Sequence, residues 1–256
     1  MDENIKNSKK ILRLLIERTQ YVNFNRSNPI QAATVSFYRK MLTSAKSVLH
    51  LHKDHYNGCI LASHMLEGLI LLTWMLNEPQ KRVRQYANFG IIERLEGLRV
   101  YPEEKDDLLK FIKENNLQKL LKKDIQEQEI TNDILLNPEN YYNKWYRPEV
   151  KDINDMVKNL TNGGKHQEIA NTKHLYNRLC AYKHYSPFVM LPRYGGKITR
   201  METTDEFLAI SAALQSLYLA FLYVNQYQIN KIDITDITEK YQKLLNILNS
   251  QYSVGN

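Results

Sequence analysis

The stretch 56–77, YNGCILASHMLEGLILLTWMLN, limits the possible folds more than any other part of the chain. Coiled into a helix, it would carry apolar side chains on almost every side. Such a helix is stable in water only when other elements wrap it, so the chain is expected to fold around it. Its uninterrupted apolar run, 68–76, is too short to cross a bilayer. His64 and Glu67 interrupt the pattern three residues apart, which makes them neighbours on one face. A carboxylate there is costly unless it is paired. The expected partner of Glu67 is a Lys or Arg from another helix; the sharper alternative is a carboxylic acid of raised pKa.

The flanking sequence supplies helices to do the wrapping. Residues 3–22 place Ile11, Leu12, Leu15, Ile16 and Val22 at helical spacing. Pro29 opens a second helix to about His52, with Val35, Tyr38, Met41, Leu42, Ala45, Val48 and Leu49 on one side. Pro79 opens another, with a core stripe of Val83, Tyr86, Ala87, Ile91 and Leu95. Pro102 restarts the chain into an acidic first turn, and a charged surface segment follows over 117–131. The loop 137–147 holds Tyr141, Tyr142, Trp145 and Tyr146, which are read as plugging a bundle end rather than stacking on bases. A short helix from Pro148 ends at the pair Gly163 and Gly164. Residues 166–185 form the next helix. Phe188–Leu191 and residues 197–200 are expected as two short strands around Gly195 and Gly196. Thr203 or Thr204 then caps a long apolar helix, and 233–252 forms a last amphipathic one, with Ile234, Ile237, Tyr241, Leu244, Leu245 and Leu248 inward.

Only 9 Gly and 7 Pro occur in 256 residues, so turns are few and elements long. The expectation is an all-α fold: a single helical bundle domain over 1–256, of eight or nine helices, with a small β-hairpin excursion near 188–200. Cys59 and Cys180 suggest no disulfide framework, and the charged N-terminus has no signal-peptide pattern. A cytoplasmic protein without a membrane partner is expected. The net charge of +7 favours anionic partners, nucleic acid first, although Lys-rich helix surfaces also serve solubility.

The helix 166–185 carries the candidate chemistry. With about 100° per residue, Leu175, Tyr176, Leu179, Cys180 and Tyr182 share the core sector. Lys173, Asn177 and His184 fall together at one edge of the polar sector, whereas Arg178 lies about 120° from His184. RNA cleavage without a metal needs proton transfer and cationic stabilisation of the phosphorane. His184 suits the first role, Arg178 the second, and Asn177 could orient the His or the phosphate. Since Arg178 and His184 diverge on one helix, a two-fold homodimer would have to set one chain's Arg against the other's His. Arg193, Lys197 and Arg200 could follow a phosphate backbone with Lys173, although basic residues on an edge hairpin also guard against aggregation. His184 has its own plainer reading as a dipole-compensating helix end, forced by Pro187. His52, His55 and Cys59 have i, i+3, i+7 spacing but no evident fourth ligand, so neither a metal nor a cofactor is expected.

Two resemblances bear on these residues. RLCAYKH, from Arg178 to His184, resembles the Arg-x4–6-His motif of HEPN-type ribonucleases. That likeness implies an all-helical homodimer cutting RNA without metal at Arg178 and His184. It also implies a toxin–antitoxin or phage-defence setting, with a cognate antitoxin or defence partner. More broadly, HYNGCILASHMLEGLILLTWMLNEPQKRVRQYANFGIIERL and the later stretch from Trp145 through HLYNRLCAYKHYSPF resemble the two blocks of bacterial domain-of-unknown-function family 5677, over about 55–190. Glu67 and His184 match that family's pattern and are implied members of one network. His64 stands where the family usually has Arg, and Cys180 where it usually has Ser. A non-catalytic helical module binding protein or nucleic acid, with Glu67, Arg178 and His184 as a structural polar network, is the alternative.

Overall fold

The computed structural model describes residues 2–51, 54–100, 110, 145–146, 149–184 and 198–253. Their secondary structure is helical throughout, with no strand among the described residues. The helices are α1 (Asp2–Thr19), α2 (Pro29–His50), α3 (His55–Asn77), α4 (Pro79–Val100), α5 (Ile153–Thr161), α6 (Gln167–Lys183), α7 (Ile198–Tyr227) and α8 (Thr235–Ser253). A 3-10 turn, Asn162–Gly164, joins α5 to α6. The described residues fall into two compact units, Met1–Asn77 with Ile153–Asn256, and Glu78–Asp152.

In the first unit, α3 and α7 form the central pair and pack on each other more extensively than any other two helices. Helix α2 lies on both, α1 packs on α7 and α8, and α6 and α5 pack on α3. Leu66, Leu69, Ile70, Leu72 and Met75 of α3 are fully enclosed, as are Leu217 and Phe221 of α7. The Tyr38 ring of α2 meets Phe221 at 5.8 Å, and its hydroxyl is shared with that of Thr19. Burial pushes the Tyr38 hydroxyl pKa far up, so it stays a neutral hydrogen-bonding group. By length and composition, α3 and residues Thr204–Tyr227 could each cross a membrane, which the short run 68–76 does not reveal. In the fold, 61% of the most apolar window of each is buried by neighbouring protein.

The amphipathic readings of 11–16, 35–49 and 234–244 are matched by buried residues at the expected positions; Leu245 is half-buried, and the side chain of Leu248 lies outside the described residues. Two helix starts differ from the expectation. Helix α7 begins at Ile198, so residues 198–200 are helical rather than a strand, and Thr203 and Thr204 lie inside the helix rather than capping it. The rest of the expected hairpin, 188–197, lies outside the described residues. Helix α5 starts at Ile153 instead of Pro148, because Val150 N–H bonds back to the Tyr146 carbonyl at 3.3 Å and closes a turn first.

In the second unit, Arg82 is buried between two carboxylates: Glu78, one helical turn earlier, and Glu149 at 3.1 Å. Lys81 and Gln85 also reach Glu149. Burial alone would raise the Glu149 pKa, but the hydrogen bonds from Lys81 and Gln85 and the Arg82 charge lower it overall. Trp145 and Tyr146 are buried ring against ring at 5.9 Å. Tyr86 and Ala87 depart from the expected core stripe of α4 and are exposed; Tyr86 instead lays its ring edge against Trp145 at 5.4 Å. The side chains of Ile91 and Leu95, Tyr141 and Tyr142, and, apart from residue 110, the segments expected from Pro102 to 131 lie outside the described residues.

Candidate functional site

Helix α6 is fixed at its start by backbone conformation and at its end by side chains. Gly163 and Gly164 take φ of 69° and 80°, the left-handed region where a Cβ is disfavoured, and reverse the chain out of α5. His166 follows with φ 47°, an uncommon conformation for a residue with a side chain. Its Nδ1 lies 3.3 Å from Glu168 Oε1, and the Tyr223 hydroxyl donates to the same carboxylate at 2.7 Å. Burial would raise the Glu168 pKa, but the hydrogen bonds from Tyr223 and His166 lower it overall. Burial and the Glu168 contact push the Tyr223 hydroxyl far up.

Ile169, Thr172, Leu179 and Tyr182 form the buried stripe of α6. Leu179 and Tyr182 are thus where the periodicity puts them, while Leu175, Tyr176 and Cys180 are half-buried. At the helix end, Tyr182 gives its hydroxyl to the buried carboxylate of Asp205 on α7 and its carbonyl accepts the Tyr56 hydroxyl at 2.6 Å. Cys59 Sγ, fully buried, donates to the Asp205 carbonyl at 3.4 Å. That contact gives Cys59 a structural role. His55 approaches Glu206 at 4.0 Å, His52 lies outside the described residues, and no group of three potential ligands is gathered for a metal among the described residues.

Asn177, Arg178 and His184 are all exposed, and Lys173 is half-buried. His184 is the C-cap of α6, its N–H reaching the Cys180 carbonyl at 3.1 Å. Glu67 is ion-paired with Lys183 at 3.2 Å, as expected of a carboxylate on α3, but no hydrogen bond or ion pair among the described residues joins it to Arg178 or His184. Arg200 belongs to the first turn of α7, and Arg193 and Lys197 lie outside the described residues.

Two participants are not evident from the sequence. Lys183 reaches Glu67 across 116 residues, and nothing in either local pattern marks the pair. Asp205 directly follows the expected caps Thr203 and Thr204, where an acid is ordinary; inside α7 it is a buried acceptor, only 2% exposed. His64 is exposed beside this pair. Partial covering of its ring lowers its pKa, the Lys183 charge lowers it further, Glu67 opposes and Lys40 of α2 adds a smaller lowering.

Comparison with known proteins gives one match. The profile described as "Family of unknown function (DUF5677)" aligns with residues 31–197, from the start of α2 to beyond the end of α6. No curated protein and no solved structure matches the chain.

Proposed function

The chain belongs to the family of unknown function DUF5677, and from that premise we propose that it is a HEPN-like, metal-independent endoribonuclease acting on RNA in the cytoplasm, in a toxin or phage-defence setting. The observation that carries this reading is the exposure of Asn177, Arg178 and His184 on the last turns of one helix whose opposite face is locked into the core. His184 transfers a proton, Arg178 holds the scissile phosphate through its planar fork, and Asn177 orients the His or the phosphate. Glu67 supports the site from α3 through Lys183 rather than by touching His184. Because Arg178 and His184 point about 120° apart on the helix, a two-fold homodimer supplies the Arg of one subunit to the His of the other.

A second reading has its own support. The Glu67–Lys183 pair ties α3 to α6 and would serve equally in a non-catalytic module that binds nucleic acid or protein. Incubation of single-stranded RNA with the protein in EDTA separates the two. Cleavage by wild type, lost in His184→Ala, supports the ribonuclease. Equal cleavage in both removes His184 from the mechanism, and RNA binding without cleavage by wild type favours the module.

A further inference from the structure

Three helices converge on the pair that interrupts the central apolar segment. Glu67 holds the Lys183 ammonium of α6 at 3.2 Å, and Tyr56, earlier on α3, donates to the Tyr182 carbonyl at 2.6 Å. With about 100° per residue, Tyr56, His64 and Glu67 fall within an arc of about 80°. His64 therefore lies, along α3, between two residues that reach the last turn of α6, the turn that ends in His184. Lys40 brings a second ammonium from α2 within electrostatic reach of His64. His64 is itself exposed, so a substrate has access to its imidazole.

We infer that His64 is a second proton-transfer residue of the RNA cleavage, accepting the proton of the attacking 2′-hydroxyl while His184 protonates the leaving 5′-oxygen. The inference rests on the ribonuclease reading above and completes it, because that chemistry needs a base as well as an acid. The 2′-oxygen forms its bond to phosphorus as the P–O5′ bond breaks. One proton passes from the 2′-oxygen to a ring nitrogen of His64, and one passes from His184 to the departing 5′-oxygen. The products are a 2′,3′-cyclic phosphate and a 5′-hydroxyl, and no co-reactant is required. Lys40 and Lys183 add positive charge where the phosphorane oxygens gain negative charge. A base must be unprotonated at working pH. Ring covering, Lys183 and Lys40 all favour the neutral imidazole, against the single opposing charge of Glu67.

The test compares two substrates in EDTA: RNA, and a uridine 3′-phosphodiester with a p-nitrophenyl leaving group that departs without a proton. On RNA, His64→Ala and His184→Ala should each lower kcat by about 10²–10⁴-fold. On the activated diester, His184→Ala should recover to within about tenfold of wild type, whereas His64→Ala stays low. The acid limb of the wild-type pH–rate profile should lie below the ordinary imidazole value, move to higher pH in Lys183→Gln and to lower pH in Glu67→Gln, and be absent in His64→Gln. His64→Gln keeps the side chain's size at an exposed position, and an unchanged thermal melt shows that it folds. Wild-type kcat in His64→Ala on both substrates would overturn the inference and leave the ribonuclease standing. Failure of His184→Ala on the activated diester would give His184 the base's role and overturn the assignment. Failure of wild type on both substrates would overturn the ribonuclease reading and the inference with it.

Discussion

Tyr182 and Asp205 meet where neither reaches bulk water, at 5% and 2% exposure. A buried acceptor that loses its donor keeps the full cost of leaving water, so Tyr182→Phe should lower stability by about 1–3 kcal/mol in urea unfolding. An unchanged midpoint would mean that Asp205 draws its support from other contacts. The inward direction of Tyr182 was legible, since Leu179 and Tyr182 share the apolar sector of one helix. Its partner was not, because Asp205 lies 23 residues away on another helix and reads as an ordinary first-turn acid until α7 is seen to begin at Ile198. Glu67 is the converse case. Its need for a cation followed from its place on an apolar helix, while Lys183, among the many lysines available, was selected only by packing.

For elements, start and stop signals differ in how firmly they fix a boundary. Pro29 and Pro79 open helices as expected, because proline at the first helical position lacks only an N–H that would be unsatisfied anyway. The turn before α6 depends on two glycines at positive φ, with nothing within 4 Å of a built Cβ at either. Gly164→Ala therefore meets no clash but strains the backbone, and should lower stability by about 1–2 kcal/mol in thermal unfolding. Gly68→Ala, inside α3, should instead gain about 0.5–1 kcal/mol, since its new Cβ would sit 3.6 Å from Met41 Cγ in ordinary contact. Equal effects at the two sites would contradict this account. Residues 198–200 are helical rather than a strand; a short segment with β-branched and basic residues carries no period long enough to separate strand from helix.

At the scale of the whole molecule, the proposed site needs a second copy of the chain. Arg178→Ala and His184→Ala should each be inactive alone, and their mixture should recover about a quarter of the wild-type RNA cleavage rate, since half of randomly mixed dimers carry one intact site of two. No recovery would place Arg178 and His184 in one chain's site or remove the dimer from the mechanism. The two apolar helices, each long enough to cross a membrane, are paired in the centre of the first unit. Hydropathy gives the same signal for a bundle core and a membrane span; in this fold 61% of each apolar window is buried by neighbouring protein.

By itself the sequence determined the all-α class, the central position of α3 and the inward faces of α1, α2 and α8. Those properties follow from a local period: a helix repeats about every 3.6 residues, and apolar side chains at that spacing must share one side. The approach of Lys40, Lys183, His64 and Glu67 was decided only by tertiary structure. Charges on three helices have no common period in sequence, and they meet only because the apolar faces beneath them pack.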